Sequence, residues 1–382
     1  NIESNKSEVT CQGMASSSQY GSGTFASPEA VNVGEEFGNT HTYTADLFGN
    51  NEIIKINVAY NIVCALTVNS ALYCWGNNSY RQINSDSVNF HTTPQLAYAN
   101  NVKDFSVSEK YVCVVLKQIT LDGTQYNNVA RCTGNDSYYE ESKGHNDNPH
   151  GYVVDKDNII LTNVNKIYST KDVSCFILMD GKLLCAGKDW SGRLGTGELA
   201  PIRSNYYGNA TAIVQNYAAP VRREVTKEQC ESNTMMVDEV EVSPCKWDQY
   251  KGLCMVDQRY TGVYVSTPSA EEKSACNYGV EVSNVTTGAV DDQVNCFISN
   301  NKVYCTGNNA NYWYLGIGST YRKRAHIAVP AVLPETLTPI KISTNRKTTC
   351  VVGINISSNE HEIWCWGLSF SKRENEFFGD TS

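Results

Sequence analysis

Fifteen cysteines that recur in a paired pattern constrain this chain more than any other feature. Val63-Cys64-Ala65-Leu66 runs to Leu72-Tyr73-Cys74-Trp75-Gly76. Ser174-Cys175-Phe176-Ile177 runs to Leu183-Leu184-Cys185-Ala186-Gly187, and Asn295-Cys296-Phe297-Ile298 runs to Val303-Tyr304-Cys305-Thr306-Gly307. Cys113 with Cys132-Thr133-Gly134 and Cys350 with Cys365-Trp366-Gly367 repeat the form. Each unit is a cysteine in an apolar strand, a polar turn, then a second strand ending in Cys-x-Gly. The second-half cysteines Cys11, Cys74, Cys132, Cys185, Cys305 and Cys365 fall roughly 60 residues apart, with one interval about twice as long, which is the mark of a repeat architecture.

The turns indicate how the cysteines pair. Asp122-Gly123 and Asn300-Asn301 are two-residue hairpin signals, because these residues tolerate positive φ. They set Cys113 opposite Cys132 and Cys296 opposite Cys305. Three-residue loops centred on Asn69 and Asp180 do the same for Cys64 with Cys74 and Cys175 with Cys185. Opposed residues on antiparallel strands lie about 4.5–5.5 Å apart at Cα, within reach of a disulfide. One cross-strand cystine per hairpin is therefore expected, Cys350–Cys365 included. The spacings contain no Cys-x2-Cys and do not match a structural zinc site.

The long interval holds Cys245-Lys246-Trp247 and Leu253-Cys254-Met255, flanked by Cys230 and Cys276. Residues 225–279 read either as a divergent repeat or as a cysteine-rich insertion, with Cys245–Cys254 and Cys230–Cys276 as the bonds. Cys11 is left over, unpaired or intermolecular.

Cystines in this number point to an oxidising compartment, secreted or on an extracellular surface. The chain has 382 residues, 41% of them hydrophobic and 19% charged, so it can bury a sizeable core. A net charge of −9 argues against a nucleic-acid partner, which needs a basic surface. No apolar run is long enough for a membrane-spanning helix. No basic-then-apolar leader opens the sequence.

The repeat resembles the regulator of chromosome condensation (RCC1) propeller family. The residues that carry the likeness are Cys185-Ala186-Gly187-Lys188-Asp189-Trp190-Ser191-Gly192-Arg193-Leu194-Gly195-Thr196-Gly197, Tyr314-Leu315-Gly316-Ile317-Gly318 with Pro330, and Tyr20-Gly21-Ser22-Gly23 with Pro28. Trp75-Gly76 and Trp366-Gly367 carry the aromatic form. The resemblance spans nearly all of residues 1–382 and implies an all-β fold. That fold is a single β-propeller of seven four-stranded blades, or of six blades plus a cysteine-rich insert. Its terminal blade would combine strands from both chain ends.

Chemistry is sparse. No histidine sits in a metal-ligand or nucleophile motif, and His145 and His150, the one local pair, fall in a Pro/Asn-rich loop. No catalytic residue, metal or cofactor is expected, and the chain does not read as an enzyme. Tyr138, Tyr139, Tyr206, Tyr207, Tyr312, Trp313 and Tyr314 cluster in segments read as inter-strand loops, where aromatics suit recognition of proteins or glycans. The triplets at Asn5, Asn77, Asn135, Asn209, Asn284 and Asn355 permit N-glycosylation. In a chain rich in Asn, Ser and Thr they are also frequent by chance.

The function expected is a non-catalytic protein- or glycan-binding scaffold. The alternative is a self-assembling subunit of an extracellular filament or array, joined at the chain ends. An enzyme inhibitor or enzyme ranks third. The exchange-factor role of the family's namesake fits poorly with cystines and negative charge.

Overall fold

Runs such as Ile62–Thr67 and Val294–Ser299 are buried at every position. A strand covered on both faces must be apolar throughout, whereas one half covered alternates. Ile53–Ala59, beside the first of these, alternates between half-buried and exposed residues. The computed structural model describes residues 8–12, 40–59, 61–134, 151–155, 159–188, 193–195, 207–212, 214–215, 235–237, 240–242, 245–248, 253–256, 280–291, 293–309, 314–317, 324–345 and 348–367. Regular structure there is β-sheet, apart from a short 3-10 turn at Ala45–Phe48.

The sheets follow chain order. Ile53–Ala59, Ile62–Thr67, Leu72–Asn77 and Phe90–Tyr98 form a four-stranded antiparallel sheet. Val102–Val107, Tyr111–Leu121 and Thr124–Gly134 form a three-stranded one. Val164–Ser169, Val173–Leu178, Leu183–Lys188 and Tyr207–Ala212 make a second four-stranded sheet. Val285–Val290, Val294–Ser299, Lys302–Asn308 and Arg324–Pro330 are consecutive in a six-stranded sheet, extended by Val214–Gln215 and Val280–Glu281. Leu337–Asn345, Thr348–Asn355 and Glu360–Gly367 form the last. Val9–Gln12 pairs with Thr40–Tyr43 as a separate hairpin.

By contacts the chain divides into two units. One comprises residues 1–179 with 208–210, the other residues 180–207 with 211–382. In the first, alternate residues of a strand serve different cores, as period-two side chains must. Ile62, Cys64 and Leu66 join Val102, Phe105, Val112 and Val114. Val63, Ala65 and Trp75 join Val9, Tyr43 and Phe48, with the Tyr43 and Trp75 rings 4.9 Å apart. In the second unit Val294, Cys296 and Cys305 pack with Leu315, Ile342, Val351 and Trp366.

The turns are as the sequence implies. Leu121 faces Thr124 across Asp122 and Gly123 (φ 48° and 77°), and Ser299 faces Lys302 across Asn300 and Asn301 (φ 49° and 58°). Both are turns with two positive φ values, which match the twist of the strands they join. A feature without a sequence signal is a register shift near the start of five strands. It falls between Ile53 and Lys55, Val102 and Asp104, Val164 and Lys166, Val285 and Thr287, and Pro339 and Lys341. Each such bulge increases local twist at the start of its sheet.

Disulfides Cys64–Cys74, Cys113–Cys132, Cys296–Cys305 and Cys350–Cys365 join opposed residues, with Cα atoms 4.0–4.1 Å apart. Cys175 and Cys185 are also disulfide-bonded. Within 225–279 the described strands form two hairpins, Met235–Val237 with Val240–Val242 and Cys245–Asp248 with Leu253–Val256. Their register sets Cys245 opposite Val256 and Cys254 opposite Trp247, so these two cysteines are offset by two positions. Cys230 and Cys276 lie outside the described residues.

Candidate functional site

The glycine of each Cys-x-Gly has positive φ: 102° at Gly76, 135° at Gly134, 115° at Gly187, 111° at Gly307 and 109° at Gly367. At Gly76 a Cβ would overlap the carbonyl oxygen of Asn61, just before the neighbouring strand. Only glycine combines that dihedral with that approach. The chain leaves the sheet here, and in the first repeat it enters a loop built around one buried side chain.

That side chain is Asn78, 1% exposed. Its Oδ1 accepts the backbone N–H of Ile83 at 2.9 Å and of Asn84 at 3.4 Å. Its Nδ2 faces Asn84 Oδ1 at 3.0 Å, Asp86 Oδ1 at 3.2 Å and the Val88 carbonyl at 2.9 Å. Buried His91 closes the cluster, its Nε2 3.3 Å from Asn84 Oδ1 and 3.4 Å from Asp86 Oδ1. Gln82 is buried too; its side chain accepts the N–H of Tyr80, and its carbonyl accepts the Thr133 hydroxyl of the next sheet at 3.0 Å. The loop is thus fixed at its centre and tied sideways. Besides the small polar residues Ser79, Ser85, Ser87 and Asn89 and the edge of Asp86, it shows Tyr80, Arg81 and Val88 to solvent. A rigid loop presenting an aromatic, a cation and an aliphatic side chain is a pre-organised contact surface.

Behind it, the first strands of successive sheets are linked by side chains. Asn57 Oδ1 accepts the N–H of Val107 at 3.0 Å, and Ser106 Oγ accepts that of Ser169 at 2.8 Å. Asp104 holds Lys55 Nζ at 2.6 Å through one carboxylate oxygen and accepts the N–H of Ile167 at 2.9 Å through the other. These bonds satisfy N–H groups on first-strand edges that a ladder does not reach. The Lys103 ammonium lies 3.3 Å from both Asn128 Oδ1 and the Val164 carbonyl, and burial pulls its pKa down.

The RCC1 repeat model, described as "Regulator of chromosome condensation (RCC1) repeat", matches residues 53–82, the hairpins that lead into this loop. Among solved structures, human WBSCR16 aligns at 12% identity and a TM-score of 0.54, covering 94% of this chain and 73% of that one. Prp20p from Saccharomyces cerevisiae aligns at 13% identity over 96% and 81% of the two chains, with a TM-score of 0.43. No curated protein matches the chain. The fold is an RCC1-like β-propeller.

Within the propeller repeat, Gln82, Arg193 and Tyr314 each precede a buried aliphatic residue, Ile83, Leu194 and Leu315. All three are buried themselves, at 1%, 1% and 7% exposure. Asn309 repeats the role of Asn78, accepting the N–H of Leu315 at 3.1 Å. This corrects the expectation for Tyr314. It packs in the core, and its carbonyl accepts the Trp366 indole N–H at 2.9 Å; the residue before the buried aliphatic position is itself buried in all three described cases.

Of the other loop aromatics, Tyr138, Tyr139, Tyr206, Tyr312 and Trp313 lie outside the described residues, as do His145 and His150. Tyr207 begins the strand Tyr207–Ala212. Tyr80 and Arg81 were not singled out from the sequence, although they follow a Gly-x-Asn in a repeat loop, which was the available signal. Among the triplet asparagines, Asn284 is exposed, with φ 54°. Asn77 accepts the N–H of Ser79 at 2.7 Å, and Asn355 donates to Glu362 at 2.6 Å. Asn209 lies in a strand, while Asn5 and Asn135 fall outside the described residues.

Cys11 is a half-buried free thiol in the Val9–Gln12 strand, and burial pushes its pKa up. Among the described residues no group of three or more His, Cys, Asp or Glu converges as metal ligands, and no helix is long and apolar enough to cross a membrane. The concavity lined by Asn100, Asn101, Gln118, Ile119 and Thr120 offers amide and hydroxyl groups without a charged side chain.

Proposed function

We propose that this chain is a secreted or surface-displayed, non-catalytic propeller that binds proteins or glycans through its inter-strand loops. The observation that carries the reading is the loop pinned by Asn78. It spends a buried amide, a buried glutamine and a buried histidine on holding Tyr80, Arg81 and Val88 in one arrangement at the surface. Tyrosine and arginine are the side chains most often found at the energetic centres of interfaces. The cystines fit an oxidising environment. Residues 225–279 would serve as a divergent blade or a cysteine-rich insertion, and Asn77, Asn284 and Asn355 as glycan acceptors.

The test is a screen of the oxidised chain against arrayed glycans and extracellular proteins, repeated with Tyr80→Ala/Arg81→Ala. A ligand whose affinity falls at least about tenfold in the variant supports the loop as the contact, that being the scale of one interface anchor. Ligands bound equally by both chains place the contact elsewhere.

A second reading, a self-assembling subunit, is favoured by Cys11. Cys74, Cys132, Cys185, Cys305 and Cys365 are bonded, whereas Cys11 is a free thiol on a strand of a two-stranded sheet. Light scattering after size exclusion separates the two: a single monomeric species argues against assembly.

A further inference from the structure

The cystines differ in one respect that the repeat does not predict. Cys64, Cys74, Cys113, Cys132, Cys296 and Cys305 are at most 1% exposed. Cys350 and Cys365 are both partly exposed. The register explains the contrast. In the hairpin of Thr348–Asn355 and Glu360–Gly367, Thr349 faces Trp366 and Val351 faces Trp364 on one side of the sheet. On that side Val351 and Trp366 are buried in the core. Cys350 faces Cys365 on the opposite side, in line with the Val352–Ile363 and Ile354–His361 pairs. That side is open: Ile363 is 70% exposed and His361 is exposed. Exposed Lys341 pairs with Val352 and stands on the same side.

We propose that Cys350–Cys365 is a thiol-exchange site, open to small anionic thiols of the glutathione class while the core cystines are closed to them. Exchange requires a thiolate to reach a disulfide sulfur, so access selects the bond that reacts. The Lys341 ammonium favours approach of an anion. A glutathione thiolate attacks one Sγ, forms the mixed disulfide and expels the other cysteine as a thiolate. A second glutathione thiolate then attacks the glutathione sulfur, releasing glutathione disulfide and the second cysteine thiolate. Two electrons pass from the two thiols to the cystine. Eight register pairs, Thr348 with Gly367 through Asn355 with Glu360, hold the hairpin when the bond is open.

The experiment uses the intact oxidised chain with Cys11 first blocked by iodoacetamide. Reduced glutathione is added under native conditions, opened cysteines are trapped with N-ethylmaleimide, and the labels are mapped by peptide mass. Cys350 and Cys365 should be labelled at least about tenfold faster than Cys64, Cys74, Cys113, Cys132, Cys296 or Cys305. Cys350→Ser/Cys365→Ser should leave the slow rates of those six unchanged. If one of the three buried bonds opens first, or all open in a single cooperative step, the proposal is wrong. The wild-type order decides the matter even if the variant does not fold.

Discussion

At the scale of single residues, two positions turn a repeat motif into a defined loop. Gly76 is set by its dihedral and by the Asn61 carbonyl at its back, so both alternatives to glycine's freedom are closed. Gly76→Ala should cost at least about 2 kcal/mol, read as a fall in thermal midpoint by calorimetry. An unchanged midpoint would show that the strand end relaxes. Asn78 acts through its side chain alone. Asn78→Ala leaves the buried N–H of Ile83 without its acceptor and should cost about 1–3 kcal/mol. The same change should open the 79–90 loop to limited proteolysis, and Asn78→Asp should be no milder: it keeps the acceptor for Ile83 but turns a buried carboxylate oxygen toward Asn84 Oδ1, Asp86 Oδ1 and the Val88 carbonyl. Tyr314 carries the opposite lesson. An aromatic residue in a loop segment suggested a contact surface, yet its place one residue before Leu315 buries it, as the corresponding places of Gln82 and Arg193 bury those side chains in their own repeats. Residue type alone does not report which way a repeat position points.

At the scale of elements, the first strands show how a sheet edge is satisfied. Asp104 accepts from Lys55 on one side and from the backbone of Ile167 on the other. The ion pair is partly exposed, with side-chain exposures of 34% and 14%, so its contribution is screened. Lys55→Met should therefore cost no more than about 1 kcal/mol. Asp104→Ala should cost more, about 1–3 kcal/mol, because it also strands a backbone donor. Chemical denaturation of the two variants checks the order, and equal losses would mean that the Ile167 bond contributes nothing. In the last hairpin, hydrogen bonds from Trp364 and Asn355 hold the Glu362 carboxyl below the usual carboxylate range. A depressed pKa means the contact is present above the unfolded value and is lost as pH falls through the folded one. The Trp364 indole N–H resonance should accordingly titrate with a midpoint below 4.5, the ordinary value for the group. A midpoint at or above 4.5 would show that the two bonds are not formed in solution.

At the scale of the whole molecule, stability in a repeat fold is close to a sum of local units and the contacts between neighbours. Each hairpin cystine should add about 2–3 kcal/mol by closing a short loop in the unfolded chain. Refolding from denaturant under reducing conditions should therefore give a lower yield and a lower melting temperature than refolding with the cystines intact. Equal melting curves would make the bonds dispensable. The binding reading belongs to this scale as well, since a propeller fold hosts many functions and only a particular loop can specify one. The all-β class, the hairpins, the pairing of Cys64, Cys113, Cys296 and Cys350 with their partners, and the positive-φ turns at Asp122-Gly123 and Asn300-Asn301 were legible in the residues. All of these depend on neighbours in sequence: a strand, a tight turn and the next strand place two cysteines opposite each other whatever lies beyond. The recurring bulges, the side-chain links between first strands, the inward turn of Tyr314 and the exposure of Cys350–Cys365 were decided only by the tertiary structure. Each depends on what covers a given face of a sheet. A period-two strand has two faces, and nothing in its own sequence says which of them the next sheet will bury.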